Sequence, residues 1–298
     1  MLRVIRKIWL CTLLCLCAWC VWSLFSHQMP WQRHEKTDHE VTVVTYNTRA
    51  MLIGESLNRK KDMLQYINQL DADVVCLQEV LVYKSGNRMT LPALREAMRK
   101  YPYTYYDFKH YNSRRQFGNV VFSRYPLINK QTIRYESASN ISSQCDMIVH
   151  DDTIRLIVNH LESFRLEEKD FSIDSLTAGS FKESSLNRKL TQASQLRRNQ
   201  VLKVRRAIYD SPYPVIAVGD FNAVPLSLVY WTMNMGLRDC FAESSLGRYG
   251  ATYKRKGLGI RIDYIFTSRK LHPLSCHVEQ VEYSDHFPVV ATIGWEEK

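Results

Sequence analysis

Residues 215–222 read Val-Ile-Ala-Val-Gly-Asp-Phe-Asn, an apolar run that is followed almost directly by a carboxylate and an amide. The consecutive apolar residues predict a buried strand over Val215–Val218. Asp220 and Asn222 then stand just beyond the end of that strand. A single Asp or Asn in this position is typical of a turn, so the stretch indicates a function only if other strands carry similar residues.

Five further apolar runs lie next to polar side chains of the same types. They are Val41–Tyr46 before Asn47, Val74–Leu77 before Gln78 and Glu79, Leu156–Val158 before Asn159 and His160, Ile262–Phe266 around Asp263, and Val289–Ile293 after Asp285 and His286. In a layered α/β domain, residues at strand ends converge on one rim and are held there by a rigid scaffold. The sequence therefore predicts a single site that is built from distant segments.

Helical patterns lie between these runs. Apolar residues recur every three or four positions over Leu57–Leu70, which predicts an amphipathic helix. Further helices are predicted over Leu91–Arg99 and Leu186–Tyr209, and the basic residues of the latter are interpreted as a solvated face. Residues 163–185 are polar without a clear period and are interpreted as a long loop. Together these patterns predict one α/β domain over residues 41–298.

The polar residues near the strands are acids, amides and imidazoles, with no thiolate among them. Such side chains suit a hard, oxygen-preferring cation such as Mg²⁺ or Mn²⁺. A phosphodiester repels an incoming hydroxide, and a divalent ion screens that repulsion and polarises the phosphoryl oxygen. The composition of the set therefore predicts a site where a metal ion and a phosphate meet.

The order of these residues, N…QE…HLE…GDFN…D…SDH, resembles the endonuclease/exonuclease/phosphatase superfamily. The resemblance runs from about Val41 to Gly294, and Gly219–Asn222 followed by Ser284–Val289 is its strongest pair. The segment 118–126, Gly-Asn-Val-Val-Phe-Ser-Arg-Tyr-Pro, is similar to a central strand of that family. The resemblance implies a four-layer α/β sandwich, in which two mixed β-sheets lie face to face with helices outside.

The resemblance also implies a metal site, with Mg²⁺ or Mn²⁺ as the cofactor. Glu79 would be the main ligand, and Asn47 and Asp285 would lie near the cation. Relatives of this kind are divalent-metal-dependent hydrolases of phosphoester bonds, most often phosphodiester bonds.

The remaining residues of the pattern receive catalytic roles from the same resemblance. Asp220 would orient and deprotonate the attacking water, and Asn222 would donate a hydrogen bond to a phosphoryl oxygen. His286 would face the phosphate while Asp263 holds its imidazole. His160 would be the second imidazole at the phosphate, which favours the deoxyribonuclease and sphingomyelinase branches over relatives that carry a Tyr there.

The substrate stays open at this point. A formal net charge of +10 suits an anionic partner, either nucleic acid or an anionic membrane surface. Arg49, Arg115 and Asn119 are candidate contacts to a phosphate or a head group. Three functions follow: a nuclease-like phosphodiesterase, a phospholipid or small phosphate-ester hydrolase, and a non-catalytic membrane-tethered module that binds a phosphate ligand. The sequence gives no indication of an oligomeric state.

The N-terminal segment Ile8–Phe25 is apolar apart from Thr12 and Ser23. As a helix, its 18 residues would span about 27 Å, close to the hydrocarbon thickness of a bilayer. The basic stretch 1–7 before it favours a cytoplasmic N-terminus. The segment is therefore interpreted as a single-pass anchor, with residues 26–40 as a linker and an extracytoplasmic catalytic domain. A cleaved signal peptide is the alternative, although its apolar core would usually be shorter.

The cysteines outside the apolar segment show no CxxC or Cys/His zinc spacing. Cys76 lies inside an apolar run and is interpreted as a small buried residue. A disulfide among Cys145, Cys240 and Cys276 stays an open alternative.

Overall fold

The computed structural model describes residues 37, 39–52, 56–137, 140–164, 185–244, 250–255 and 258–296. The strands are β1 His39–Asn47, β2 Val74–Tyr83, β3 Tyr103–Asn112, β4 Arg115–Ser123, β5 Leu127–Ile133, β6 Ile141–Val149, β7 Asp152–His160, β8 Val215–Asp220, β9 Leu237–Asp239, β10 Tyr253–Arg255, β11 Leu258–Ile260, β12 Asp263–Ser268, β13 His272–Val278 and β14 Val289–Trp295. The helices are α1 Arg49–Leu52, α2 Leu57–Gln69, α3 Leu91–Ala97, α4 Ser185–Tyr209, α5 Leu228–Asn234 and α6 Cys240–Ser244.

The strands form two mixed sheets of six strands each. The first sheet has the order β13-β14-β1-β2-β4-β3, and the second has the order β5-β6-β7-β8-β12-β9. Strands β1 and β2 run parallel in the first sheet, as do β7 and β8 in the second. The other neighbours in the two sheets are antiparallel. Strands β10 and β11 form a separate two-stranded sheet.

A buried apolar layer joins the two sheets face to face. Successive side chains of a strand point to opposite faces, so Val41 and Val43 of β1 enter this layer while Val44 and Tyr46 point away from it. The layer also contains Val74, Cys76, Val121, Leu156, Val158, Ile216, Val218 and Ile265. Both sheets are therefore anchored to each other directly below the ends of their parallel strands.

Helices cover the two outer faces. Residues Met63 and Ile67 of α2 and Leu94 of α3 pack on the first sheet, while Val204 of α4 and Val229 of α5 pack on the second. Serine or threonine caps stand before α2, α3 and α5, where each hydroxyl accepts a backbone N–H of the first turn. The resulting order of layers is helix, sheet, sheet, helix, and this confirms the predicted α/β sandwich.

The elements predicted between residues 41 and 293 are present, although several are longer than expected. The second strand was predicted as Val74–Leu77 and continues to Tyr83. Strands β3, β5, β6 and β13 are not among the predicted elements. The long loop predicted over residues 163–185 lies almost wholly outside the described residues.

The four cysteines beyond the N-terminal segment, Cys76, Cys145, Cys240 and Cys276, are buried free thiols, so no disulfide joins them. Within the described ranges, no helix is long and apolar enough to cross a membrane. The predicted anchor Ile8–Phe25 lies outside those ranges.

Candidate active site

Strand register brings the polar residues of the sequence pattern to one rim. His160 pairs with Asp220 across the parallel strands β7 and β8, and Asp220 pairs with Asp263 across β8 and β12. Asn47 ends β1 in the facing sheet, where it lies opposite Gln78 of β2. Four strand ends from two sheets therefore meet above the buried layer.

Asp220 is the centre of this rim and is almost fully buried. The Asn47 side-chain amide donates to Asp220 Oδ2 over 2.9 Å, which links the two sheets. The Asn222 backbone N–H donates to Oδ1 over 2.8 Å, and its side-chain amide donates to Oδ2 over 3.1 Å. Burial and the nearby Asp263 charge raise the Asp220 pKa to about 6, while His286 and His160 oppose the shift.

Gly219 permits the close packing that sets Asp220 in place. Its φ of +127° lies in a region that side-chain-bearing residues rarely adopt, and a Cβ there would collide with the backbone of Asn159 on β7. The glycine of the Gly-Asp-Phe-Asn stretch is therefore required by the approach of β7 to β8.

Three site residues, Arg49, Glu79 and Asn222, adopt backbone conformations that non-glycine residues seldom occupy. Glu79 has a φ of +54° and lies in a bulge where the pairing of β2 with β4 shifts between Leu77 and Val80. Asn222 has a φ of +48°. Such conformations persist only where the surrounding fold enforces them, and they are concentrated at functional sites. In this chain, the bulge directs the Glu79 carboxylate to the rim.

His286 lies between two carboxylates. Its Nδ1 is 2.9 Å from Asp263 Oδ2, and its Nε2 is 3.7 Å from Asp220 Oδ2. The Thr252 hydroxyl accepts the Asp263 backbone N–H over 2.9 Å, and the Tyr253 ring packs 4.8 Å from the imidazole. Burial opposes the charged form, but the Asp263 and Asp220 charges outweigh it and raise the His286 pKa to about 10. The imidazole is therefore protonated at neutral pH.

Glu79 and His160 form a second acid–imidazole pair across the sheets. His160 Nε2 is 3.3 Å from Glu79 Oε1, which also accepts from the Asn47 amide over 3.4 Å. Burial favours the neutral form of Glu79, but the hydrogen bond and charge of His160 prevail and lower its pKa to about 2. Burial likewise opposes protonation of His160, and Glu79 nevertheless raises the His160 pKa.

Asp285 and Arg49 stand at the outer margin of the rim. Arg49 Nε is 3.4 Å from Asp285 Oδ2, and the Arg49 backbone N–H donates to Asn47 Oδ1 over 2.9 Å. The Ser284 hydroxyl donates to the Asn47 carbonyl oxygen over 3.0 Å, which fixes the loop before β14 against β1. The Arg49 side chain is exposed, so its guanidinium is accessible to a ligand.

These residues open into a cleft of about 1120 Å³. Its polar wall contains Asn47, Arg49, Glu79, Asp220, Asn222, Asp285 and His286. The lining also includes the apolar residues Phe164, Leu190, Val224, Leu228, Val229, Ile260 and Ile262, together with polar and basic residues of α4 such as Thr191, Gln195, Arg197 and Arg198. The cleft therefore combines the charged rim with a lining that is partly apolar.

Two of the three predicted substrate contacts lie away from this cleft. Asn119 is almost fully buried, and its amide donates to Ser143 Oγ and to the Val158 carbonyl oxygen, each over 3.1 Å. That placement favours a structural role, in which Asn119 joins β4 to the opposite sheet. Arg115 starts β4 and interacts with the Tyr83 hydroxyl. Neither residue is among the described residues that line the cleft.

Sequence reasoning missed three residues at the site. Thr252 and Tyr253 hold Asp263 and His286, and no pattern in the sequence marks them. Arg197 was interpreted as part of a solvated helix face, but it is buried and lines the cleft. Its guanidinium donates to the Glu162 carbonyl oxygen over 2.7 Å and lies 3.8 Å from the centre of the Phe164 ring.

Two groups of side chains at the rim could act as ligands to a cation. Ligand atoms of Asp220, Asp263 and His286 lie within 4.8 Å of one another. His286 Nδ1 is already paired with Asp263 and its Nε2 faces Asp220, so in this arrangement the imidazole is placed to donate hydrogen bonds to both carboxylates. Glu79 and Asp285 instead present carboxylates to the cleft beside the Asn47 amide, which are oxygen donors that Mg²⁺ prefers.

Two facing mixed sheets with helices outside, and a rim of acids, amides and imidazoles at their strand ends, define a phosphoester hydrolase domain. The Endonuclease/Exonuclease/phosphatase family profile matches residues 44–286, and the chain belongs to this family.

Solved structures share the fold at low sequence identity. An endonuclease/exonuclease/phosphatase from Beutenbergia cavernae is 19% identical with a TM-score of 0.65, over 86% of this chain and 72% of that one. A humanized D. rerio TDP2 is 16% identical with a TM-score of 0.63, over 86% and 99%. The human Nocturnin catalytic domain with a bound sulfate anion is 16% identical with a TM-score of 0.57, over 86% and 94%. None of the curated proteins compared with the chain matches it.

Proposed function

We propose that this protein is a divalent-metal-dependent phosphodiesterase in which Asp220 activates the attacking water. The observation that carries the proposal is the convergence of Asp220, His286 and Glu79 on one cleft, although they are distant in sequence. General acid–base catalysis requires a carboxylate that is ionised and within reach of water. A pKa of about 6 leaves Asp220 largely ionised at neutral pH but basic enough to accept a proton.

Each of the other polar residues has a position that suits the reaction. Asp220 takes a proton from water as the water oxygen bonds to phosphorus. The ester P–O bond then breaks, and its electron pair leaves with the departing oxygen, which takes up a proton from solvent. Protonated His286, held by Asp263, donates toward the phosphoryl oxygens. We assign the same role to the Asn222 amide and His160, each of which must exchange a present partner on substrate binding: the amide donates to the Leu161 carbonyl oxygen and Asp220 Oδ2, and His160 Nε2 faces Glu79. Donors that are fixed where charge develops stabilise the transition state.

Glu79, Asn47 and Asp285 are the residues that would hold the metal. Their oxygen donors suit Mg²⁺, and Mn²⁺ is accepted by the same ligand types. A bound dication supplies positive charge that screens the phosphate and polarises its oxygen. Arg49, which is exposed at the cleft margin, is a side chain that could extend that positive charge toward a substrate.

Metal removal tests the cofactor assignment. We expect EDTA to abolish hydrolysis of bis(p-nitrophenyl) phosphate by the full chain and added Mg²⁺ to restore it, with Mn²⁺ as a second cation to compare. An enzyme that hydrolyses this diester at full rate in EDTA would contradict the metal dependence. A protein that binds phosphate ligands but cleaves no diester with any divalent cation would instead be the non-catalytic binding module.

Glu79→Gln distinguishes the two donor groups. The substitution removes the negative charge that a cation would meet, so we expect the Mg²⁺ concentration for half-maximal activity to rise at least about tenfold. The measurement is a Mg²⁺ titration of the diester rate, with Glu282→Gln on the exposed surface as the matched control. An unchanged Mg²⁺ requirement would instead assign the cation site to Asp220, Asp263 and His286.

We also propose that the apolar segment Ile8–Phe25 anchors the chain in a membrane, with the catalytic domain outside the cytoplasm. Its length and its basic flank support the proposal. A reporter fused to the C-terminus that is active only outside the cytoplasm tests this topology, because activity confined to the cytoplasm would reverse it.

A further inference from the structure

Helix α5 and the loop before it present apolar side chains to solvent. Val224, Leu228, Trp231 and Met235 are all exposed, and Leu228 and Met235 are 61% and 63% exposed. Leu228 and Trp231 lie three residues apart on one side of α5, while Val224 precedes the helix and Met235 follows its last residue. A solvated helix face is ordinarily polar, and contiguous exposed apolar residues commonly mark an interaction site. We call these four residues the α5 face.

The opposite side of α5 packs in the hydrophobic core. Val229, Tyr230 and Met233 are buried against the second sheet. The apolar character of the α5 face is therefore not a requirement of folding, because the helix has a separate side that packs on the sheet.

The α5 face is continuous with the active-site cleft. Val224 and Leu228 belong to both, since they are exposed and also line the cleft. Phe164, Ile260 and Ile262 line the same cleft as Asp220 and His286. A ligand whose phosphate lies at Asp220 would therefore share its cleft with apolar side chains, of which Val224 and Leu228 are also exposed on the outside of the protein.

This arrangement favours a hydrocarbon chain over a nucleic acid strand. Binding of single strands relies on aromatic platforms and on a basic groove that follows the backbone. The described cleft has aliphatic side chains among its lining residues, and its basic residues do not form a continuous row: Arg197 is buried against the Phe164 ring, which leaves Arg49 and Arg198 accessible. Trp231 has the amphipathic ring that prefers a membrane interface.

Charge and chain length are compatible with a bilayer. Helix α4 packs beside α5 and has the exposed basic residues Arg198 and Lys203, which suit an anionic lipid surface, while Arg206 is paired with Asp210. The 13 residues between the apolar segment and β1 could reach roughly 45 Å when extended. Strand β1 runs from the end of this linker at His39 to the rim at Asn47 and spans only about 30 Å. The linker is therefore long enough for the rim to reach the bilayer surface.

We propose that the active site takes amphiphilic phosphodiesters from a lipid bilayer, with the α5 face in contact with the bilayer. The proposal rests on the phosphodiesterase function proposed above. It commits to a phospholipid as the substrate class, with its phosphate at Asp220 and its hydrocarbon along the apolar residues of the cleft.

Photo-crosslinking tests the bilayer contact without relying on activity. The full chain is placed in nanodiscs of phosphatidylethanolamine and phosphatidylglycerol that include a phospholipid with a diazirine in its acyl chain. We expect lipid adducts within residues 224–235, and we expect Trp231→Ser with Met235→Ser to reduce them at least fivefold. Ile128→Ser, a similarly exposed aliphatic residue on β5, should leave them unchanged. Adducts confined to residues 1–40 would overturn the bilayer contact.

Kinetics test the substrate class on the same variants. We expect the rate on bilayer phospholipid divided by the rate on bis(p-nitrophenyl) phosphate to fall about tenfold in the double variant, and to remain constant in Ile128→Ser. Met235→Ser alone, with a smaller fall in the same ratio, provides the test if the double variant unfolds. A constant ratio in the α5 variants would overturn the proposal.

Two further outcomes identify other occupants. Single-stranded or duplex DNA cleaved faster than any phospholipid, at rates that the α5 substitutions do not alter, would assign the cleft to nucleic acid. A large drop in melting temperature for the α5 variants, with no lipid adducts, would show that another part of this chain covers the face. Absence of all diester hydrolysis would refute the phosphodiesterase, whereas the crosslinking result would stand independently.

Discussion

Asp220→Asn is expected to lower kcat on bis(p-nitrophenyl) phosphate about 10³-fold, within the range typical for loss of a general base. The amide has the same shape as the carboxylate but cannot accept the proton of the attacking water. Because burial already raises the Asp220 pKa to about 6, the fold does not depend on a strongly stabilised charge here. We therefore expect the melting temperature to change little.

The matched control is Asp62→Asn, an exposed position on α2 that makes the same chemical change away from the cleft. The Asn47 amide requires attention, because it donates to Asp220 over 2.9 Å and must then face an amide side chain. If the Asn47 side chain turns away from the new amide, substrate binding would also weaken, so KM is measured together with kcat. Retention of near-normal kcat would remove Asp220 from the role of base.

The sequence predicts the central strands and the residues at their ends for a simple physical reason. Strands that are buried on both faces, such as β1 and β8, require nearly continuous apolar residues, which leave an unmistakable run in the sequence. A buried polar residue at the end of such a run, such as Asp220, needs hydrogen-bond partners. Polar residues at the ends of the neighbouring strands provide them. The grouping of the site residues thus follows from strand patterns alone.

The missed strands have weaker patterns because of where they lie. Strand β5 is at the edge of the second sheet, and its residues from Ile128 to Thr132 are mostly exposed, so no apolar run marks it. Strand β6 is buried but contains Ser142, Ser143 and Asp146, which are paired within the domain. Polar residues that find buried partners cannot be distinguished from loop residues by composition.

Tertiary geometry also determines details of the site that no linear pattern contains. The bulge that turns Glu79 to the rim depends on the register between β2 and β4, which is a property of two strands together. Arg197 could have been found, since Ala193, Arg197, Gln200 and Val204 share the buried side of α4 at helical spacing. Its charge indicated a solvated position, whereas its spacing indicated the core.

His286→Gln is expected to reduce kcat/KM on the same diester by about 10²–10³-fold, the usual effect of losing a fixed donor at a transition-state oxygen. Glutamine still offers an N–H, but it is neutral, whereas His286 is charged because Asp263 and Asp220 outweigh the cost of burial and raise its pKa to about 10. His277→Gln, on a partly exposed histidine that pairs with Glu279, is the matched control.

A double-mutant cycle with Asp263→Asn determines how the pair acts. Asp263 contacts His286 Nδ1 over 2.9 Å, and we expect it to act on the reaction mainly through that imidazole, with a smaller effect through the Asp220 pKa that its charge helps to raise. The double variant should therefore lose about as much activity as His286→Gln alone, because residues that act as one unit are strongly non-additive. Losses that multiply would show that Asp263 has a separate role, either through the Asp220 pKa that its charge raises or as part of a metal site with Asp220 and His286. The Mg²⁺ requirement distinguishes the two roles: a requirement that rises in Asp263→Asn but not in Glu79→Gln would place the cation at Asp220, Asp263 and His286.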